Sequence, residues 1–116
     1  MATTEELTDS LTSFAQSCNA NERLLAMIRD WSRTIQVHAT DLSADYALVA
    51  APGNVTARAG APEAPDMVIQ ADSEILTAIF YGELSPNEPY NEGTLRIQGR
   101  EDDIVKLDFI IAMLWE

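Results

Sequence analysis

Apolar side chains recur every three or four residues at the start of the chain, which predicts an amphipathic helix over residues 4–18. Thr3 and Glu6 have the spacing of a capping box at its N-terminus. Cys18 lies on the apolar stripe and is expected to be a core thiol rather than a nucleophile. Asn21 can cap a second helix, whose apolar face consists of Leu24, Leu25, Ile28 and Trp31.

Beyond the second helix, the spacing of apolar residues changes from helical to alternating. In residues 34–40, TIQVHAT, every second side chain is apolar, which predicts a half-buried strand. Residues 46–59 are predicted to form a hairpin, because the letters PGN in their middle supply a turn between two strand-forming runs. Residues 66–71, DMVIQA, predict a fourth strand.

A third helix is predicted after the fourth strand, with Asp72 or Ser73 as its cap and Gly82 placed to end it in the left-handed conformation. Its inward residues are expected to be Ile75, Leu76, Ile79 and Phe80. The loop that follows contains Pro86 and Pro89, and these prolines predict an extended backbone there.

A short fifth strand follows the loop, with Leu95 and Ile97 on its inward face. Gly93 and Gly99 flank this strand and are expected to permit close packing at its two ends. The chain then closes with a helix, REDDIVKLDFIIAMLWE, whose acidic start suits the N-terminal end of a helix dipole.

The closing helix is apolar on nearly all of its sides. One stripe is expected to pack on the sheet and consists of Ile104, Leu107, Ile111 and Leu114. A second set lies off this stripe, is expected to line or close a cavity, and consists of Ile110, Met113 and Trp115. A surface helix normally buries only one face, so this helix must be covered on a second side by protein, by a partner subunit or by a ligand.

Length, composition and charge limit the class of protein. The 116 residues, of which 47% are hydrophobic, predict a single domain over residues 1–116, with residues 1–20 as an N-terminal helical extension. The net charge of −12 argues against nucleic-acid binding, which requires a basic patch. Anionic lipid headgroups repel an acidic surface, so no stable membrane insertion is expected.

The N-terminal sequence MATTEELTDSL lacks the basic and apolar regions of a signal peptide, which predicts a cytoplasmic protein. No apolar run approaches the roughly 18 residues that a transmembrane helix needs. The sequence contains one cysteine, which rules out an intrachain disulfide and a thiolate metal cluster.

Residues suited to catalysis or metal binding are scarce. The sequence contains no P-loop, no G-x-S-x-G, no H-E-x-x-H and no G-x-G-x-x-G motif. His38 is the single histidine and is expected to be solvated or hydrogen-bonded. Glu101, Asp102 and Asp103 stand at a helix start, where the helix dipole explains them without a cation. No catalytic residue, metal site or cofactor is therefore predicted.

The order of the elements, together with residues 66–99, resembles the sterol carrier protein 2 (SCP-2) family of lipid-binding domains. The segment DMVIQADSEILTAIFYGELSPNEPYNEGTLRIQG combines an extended stretch, a short helix ending in Gly82, a proline-bearing loop and an aromatic residue, Tyr90. It ends with the pattern G-x-L-x-I-x-G, and Lys106 and Leu107 in the closing helix also fit the family. The resemblance is specific over residues 66–111.

This resemblance implies an α+β fold in the order α-α-β-β-β-β-α-β-α, in which helices cover a five-stranded sheet and an apolar tunnel is enclosed. It implies a protein that binds and carries a sterol, fatty acid, fatty acyl-CoA or phospholipid without transforming it. The residues expected to line the tunnel and contact the ligand are Leu76, Phe80, Leu84, Tyr90, Leu95, Ile97, Ile110 and Met113.

Three other functions stay open at this stage. The chain could be an accessory protein that presents an apolar intermediate, such as a sterol or quinone precursor, to a partner enzyme. It could be a small enzyme of the ketosteroid isomerase sort that uses Asp108 or His38 in an apolar pocket. Finally, the closing helix could be the interface of a homodimer that binds no ligand.

Overall fold

A five-stranded mixed sheet is the centre of the fold in the computed structural model, which describes residues 2–114. The strands lie in the order β3-β2-β1-β4-β5. Strands β1 and β4 are parallel, and the other neighbouring strands are antiparallel. The bounds of β1 to β5 are Arg33–Ala39, Ala44–Ala51, Asn54–Ala59, Met67–Ala71 and Arg96–Gln98.

One face of the sheet is apolar because its inward positions are in register from strand to strand. Val37 on β1 pairs with Tyr46 on β2 and with Ile69 on β4, and Ile69 in turn pairs with Ile97 on β5. Side chains alternate between the two faces of a strand, so these residues share one face while His38 lies on the other. The apolar face joins one hydrophobic core with residues from four of the five helices.

The predicted α+β fold and the predicted order of its elements are confirmed. The helices α1 to α5 span Thr4–Asn19, Glu22–Met27, Ser73–Phe80, Asn87–Glu92 and Glu101–Leu114. Helix α2 is shorter than the pattern of apolar residues suggested, so Trp31 lies beyond its end, although Trp31 is buried as expected. The short helix α4 lies within the segment that was predicted to be an extended loop.

The prediction of an extended loop before β5 was wrong because its two prolines occupy positions that a helix start tolerates. Pro86 is the N-cap of α4, with a φ of −68° that already suits a helix, and Pro89 lies in the first turn. The missing N–H of a proline costs nothing in the first turn, where backbone N–H groups have no partner within the helix. Gly93 ends α4 with a φ of 82°, so it serves as a left-handed cap rather than a close-packing site.

Two other glycines behave as the sequence predicted. Gly82 ends α3 with a φ of 82°, and the N–H groups of Gly82 and Glu83 donate to the carbonyls of Ile79 and Ala78 at 3.0 and 2.8 Å. This pair of bonds is the Schellman arrangement. Gly99 approaches β4 closely, because a Cβ there would lie 2.7 Å from Cγ of the buried Met67. The turn at Gly82 determines where α3 ends, and the close approach at Gly99 lets the chain leave β5 beside β4.

Helix α1 packs against the apolar face of the sheet and against α3. The predicted capping box is present, because the Glu6 N–H donates to the Thr3 hydroxyl and the Glu6 carboxylate accepts from the Thr3 N–H. The rings of Phe14 and Phe80 meet edge to face at 5.1 Å. Cys18 is fully buried, and burial raises the pKa of its thiol to about 12, which supports the predicted core role.

The end of α1 is joined to the outer strand β3 by a side-chain amide. Asn19 donates from Nδ2 to the Val55 carbonyl at 2.8 Å and accepts from the Val55 N–H at 2.7 Å. Since β3 is an edge strand of the sheet, this pair satisfies two backbone groups that β2 cannot reach.

The first turn of α5 is held by a buried carboxylate. Asp103 is 3% exposed and accepts hydrogen bonds from Trp31 Nε1 and Arg33 Nε, both at 2.9 Å. Arg33 and Lys106 also place their charged groups over the Trp31 ring, at 5.9 and 5.8 Å from its centroid. Burial alone would raise the pKa of Asp103, but the bonds from Arg33 and Trp31 outweigh it and keep that pKa below its ordinary value.

We expect Asp103→Asn to lower the free energy of unfolding by about 1–3 kcal/mol at neutral pH, because it weakens two hydrogen bonds to a buried group. Since the folded-state pKa of Asp103 is depressed, its contribution is complete above the unfolded-state value of about 3.9 and is lost as the pH falls further. Urea unfolding between pH 7 and pH 2 should therefore show a shallower acid decline in the variant, as about one titrating group is removed.

The control for this experiment is Asp102→Asn, because the Asp102 side chain is 72% exposed on the same turn of α5. This substitution should leave both the stability and its acid decline close to those of the wild type. Equal acid declines in the wild type and Asp103→Asn would show that the buried carboxylate does not govern the acid response.

Candidate ligand-binding site

An apolar cavity of about 210 Å³ lies between the sheet and the helices α3, α4 and α5. Its side chains come from five elements or their flanks, namely β4, α3, α4, β5 and α5, so no single segment of the sequence builds it. The apolar residues that form its walls and are buried or half-buried are Ile69, Leu76, Ile79, Phe80, Pro86, Leu95, Ile97, Ile104, Leu107 and Ile111.

The mouth of the cavity lies between α4 and α5, where the exposed lining residues are found. These residues, defined here as the mouth, are Asn87, Tyr90, Val105 and Asp108. Tyr90 and Val105 are each 49% exposed. The polar lining side chains all belong to the mouth, and the walls behind it are hydrocarbon or aromatic. The cavity can therefore hold an apolar chain and keep a polar end near water.

Strands β4 and β5 provide the wall opposite α5. The antiparallel pair Ile69 and Ile97 turns both side chains toward the cavity. Leu95, just before β5, is buried beside them, and its N–H donates to the Pro89 carbonyl at 3.1 Å. This bond ties the end of α4 to the start of β5, which fixes one side of the mouth.

Helix α3 provides a second wall because of where it starts. Asp72 follows β4 directly and caps α3 by accepting from the Ile75 N–H at 2.8 Å. Ser73 is anchored as well, because its N–H and hydroxyl donate to the two carboxylate oxygens of Asp41 at 2.8 and 2.7 Å. With its start fixed, α3 presents Leu76 and Phe80 to the cavity.

Five of the eight residues that the sequence suggested for ligand binding line this cavity, namely Leu76, Phe80, Tyr90, Leu95 and Ile97. The other three do not line it. Leu84 and Met113 are half-buried against the core, and Ile110 is buried on a different side of α5. Contact with a ligand stays a prediction for all eight.

The side of α5 that faces the cavity is not the side that the sequence suggested. Ile104, Leu107 and Ile111 line the cavity, whereas Ile110 borders a void of about 20 Å³ shared with Cys18 on α1 and with residues of α2 and β1. The helix is anchored through Asp103, and this anchor sets its rotation. Trp115, expected off the stripe, lies outside the described residues.

Several lining residues were missed in the sequence as possible ligand contacts. Ile79 was placed on the inward face of a helix and Ile69 only in a strand, because a core residue and a cavity residue have the same apolar character. Asn87 was placed in an extended loop, and Val105 was not considered. For the mouth a signal existed, since α4 and the start of α5 combine exposed aromatic and apolar residues with acids.

The side chains considered for catalysis or metal binding have other partners or lie outside the cavity walls. His38 lies on the opposite face of the sheet, and its Nδ1 is 2.8 Å from Asp45 Oδ1. A hydrogen bond from Gln36, followed by the interaction with His38, holds the pKa of Asp45 below its ordinary value. Asp108 is exposed at the mouth. Within residues 2–114, no three His, Cys, Asp or Glu side chains are grouped to hold a metal ion.

Comparison with known families identifies this combination of sheet, helices and apolar cavity. The sequence profile of the SCP-2 sterol transfer family matches residues 14–107. The chain belongs to the SCP-2 sterol transfer family. Its members generally bind lipids or sterols. No curated protein sequence matches the chain.

Solved SCP-2 structures show the same fold over nearly the whole chain. The sterol carrier protein domain 2 of Helicoverpa armigera is 15% identical with a TM-score of 0.73, and the match covers 98% of this chain and 93% of that one. A protein described as UbiJ-SCP2 ubiquinone synthesis protein is 14% identical with a TM-score of 0.70, and the match covers 90% and 94%. Identities this low show the fold alone.

The SCP-2 fold also occurs as one part of larger enzymes. The inverting sec-alkylsulfatase Pisa1 from Pseudomonas sp. is 22% identical with a TM-score of 0.63, and the match covers 79% of this chain. The chain spans only 14% of the length of that enzyme. As for membranes, none of the helices within residues 2–114 has the length and hydrophobicity needed to cross a bilayer.

Substitutions on the two faces of α5 should have separate effects on stability and on ligand binding. Ile110→Ala should lower the free energy of unfolding by about 2–5 kcal/mol, because it opens a hole in the core beneath α1. Ile111→Ala should cost roughly 1–2 kcal/mol, because that side chain already borders open space and makes fewer contacts. Urea unfolding of the two variants measures the difference.

Binding of a lipid probe provides the complementary readout. Ile111→Ala enlarges the cavity and should change the relative affinity for probes of different chain length, whereas Ile110→Ala should leave those ratios unaltered. If Ile110→Ala shifted the ratios more than Ile111→Ala did, the cavity described here would not be the binding site.

Proposed function

We propose that this protein binds and carries a hydrophobic ligand, such as a sterol, fatty acid, fatty acyl-CoA or phospholipid, without transforming it. The observation that supports this proposal most directly is the apolar cavity between the sheet and α5, whose polar lining groups are confined to the mouth. An unfilled space of about 210 Å³ is unfavourable in a packed core, because the atoms that line it lose van der Waals contacts. A ligand would supply those contacts.

The energetics of apolar burial are sufficient for such a function. Each buried methylene contributes about 0.8 kcal/mol, whereas association costs about 4–15 kcal/mol. A long chain therefore binds through its hydrocarbon alone. The cavity is smaller than the roughly 300–1,000 Å³ of pockets that enclose drug-sized ligands. In this conformation it accommodates part of a long chain, and a sterol requires α4 and α5 to move apart.

The arrangement of polar side chains supports a binder rather than an enzyme. An acid–base enzyme needs titratable groups that converge on the substrate. His38 lies on the far face of the sheet and is paired with Asp45, so it does not reach the cavity. Asp108 is exposed at the mouth rather than enclosed by the apolar walls.

Filling the cavity should abolish binding. We expect an environment-sensitive lipid probe to bind the wild type at about one molecule per chain and to be displaced by long-chain lipids. Ile104→Trp adds an indole to a half-buried lining position and should weaken probe binding at least about tenfold, because it occupies space that the probe needs. Fluorescence titration measures both affinities.

Ala112→Trp is the matched control, because Ala112 is exposed on α5 and is absent from the cavity lining. This control should bind the probe like the wild type. Circular dichroism and thermal unfolding should show that both variants are folded. Unchanged affinity in folded Ile104→Trp would remove the cavity as the site, and a folded wild type that bound no amphiphile would refute the carrier function.

A second candidate function is supported by exposed apolar residues beside the mouth. Phe109 is 61% exposed, and Val105 lies one turn before it on α5. An accessory protein that presents a sterol or quinone-type intermediate to a partner enzyme would need such a surface around its exit. The fold of the UbiJ-SCP2 ubiquinone synthesis protein is consistent with this role.

Phe109→Ser separates the accessory function from the free carrier. Because Phe109 is mostly exposed, the substitution should change stability by no more than about 0.5 kcal/mol and leave probe affinity unaltered. If a partner docks on this surface, size-exclusion chromatography of a native extract should show the wild type above its own mass and the variant at the mass of the free chain. Purified wild type at twice its own mass would indicate a homodimer instead.

A further inference from the structure

We infer that the mouth of the cavity selects ligands whose polar end carries no negative charge, such as alcohols, phenols or amines, and discriminates against free carboxylates. This inference rests on the proposed function and narrows it. It follows from the chemistry of the mouth, from the position of the nearby basic side chains and from the lack of a described side chain bonded to Asp108.

The first observation is that an apolar ligand must leave its polar end in the mouth. The walls behind the mouth are apolar, so a hydroxyl or a charge pushed inward would lose its hydrogen bonds to water without replacement. At the mouth, the amide of Asn87, the hydroxyl of Tyr90 and the carboxylate of Asp108 are available instead. All three accept hydrogen bonds, and the carboxylate accepts only.

The second observation is that no basic side chain is among the described residues that line the cavity and its mouth. Helices α4 and α5 carry six acids, and Lys106 is the one base within their described ranges. Lys106 Nζ lies 5.8 Å from the centroid of the Trp31 ring, on the side of α5 turned away from the cavity. Arg100, just before α5, pairs with Asp102 at 3.4 Å. A bound carboxylate would therefore meet negative charge without a compensating base.

The third observation is that the Asp108 carboxylate is left available to a ligand. In the part of the chain that the structure describes, Asp108 forms no ion pair or hydrogen bond with another side chain. A hydroxyl or ammonium group of a ligand can donate to it, whereas an ionised carboxylate cannot. The side chains of Tyr90 and Asn87 can donate to either head group, so the difference between head groups comes from Asp108.

Three probes with the same hydrocarbon chain isolate the head group, namely dodecanol, dodecanoic acid and dodecylamine. Their affinities for the full chain are measured at pH 7.5 by displacement of a fluorescent lipid probe. The decisive quantity is the ratio of the dissociation constants of acid and alcohol, compared between protein variants. The greater water solubility of the ionised acid affects the ratio equally in every variant, so its effect cancels in this comparison.

In Asp108→Asn, the ratio of the dissociation constants of acid and alcohol should fall about fivefold relative to the wild type at low salt, because one repulsive charge at the mouth is removed. The difference should shrink as salt is raised, since the screening length falls from about 10 Å at 0.1 M to about 3 Å at 1 M. Dodecylamine should lose affinity in the same variant.

Asp102→Asn is the matched control, because it removes the same charge from the same helix at an exposed position outside the cavity lining. This control should leave the ratio close to that of the wild type. An equal ratio in both variants, or tighter binding of dodecanoic acid than of dodecanol by the wild type, would overturn the selectivity. Binding of dodecanol would then persist, and the carrier function would stand. If no probe binds, the carrier function fails and the selectivity fails with it.

Discussion

The buried carboxylate of Asp103 fixes the start of the closing helix, and the cavity depends on that start. Its two hydrogen bonds come from Trp31 and Arg33, 72 and 70 residues earlier in the chain. A buried carboxylate without partners is far more costly than a paired one, so sliding or rotating α5 at this end is unfavourable. The following turns then pass the sheet with Ile104, Leu107 and Ile111 toward the open space.

The walls and the mouth of the cavity differ in chemical character. Its walls come from alternating positions of β4 and β5, from one face of α3 and from the side of α5 that faces them. Its mouth comes from α4 and α5, which are acidic on the outside and aromatic or aliphatic at the rim. In the proposed function, the hydrocarbon of the ligand therefore meets the walls and its head group meets the mouth.

Local signals in the sequence were sufficient for most of the fold. The capping box at Thr3, the left-handed turn at Gly82 and the inward pair Leu95 and Ile97 each depend on neighbours within a few residues. The rotation of α5 does not depend on such neighbours. The helix is apolar on nearly all sides, and its orientation is set by distant Trp31 and Arg33.

The walls and the mouth of the site were predictable to different degrees. The side chains of a cavity wall are chemically those of a core. The sequence alone therefore does not distinguish Ile69, which lines the cavity, from a packed core residue. The helical mouth was hidden by Pro86 and Pro89, which suit an extended loop as well as the first turn of a helix.

The amide of Asn19 also has a consequence for how copies of this protein meet. By donating to and accepting from Val55, it imitates one residue of an additional strand on the open side of β3. An exposed strand edge is a template for a second chain, and such pairing leads to aggregation. With this position occupied from within, the sheet is less able to grow by addition of another molecule.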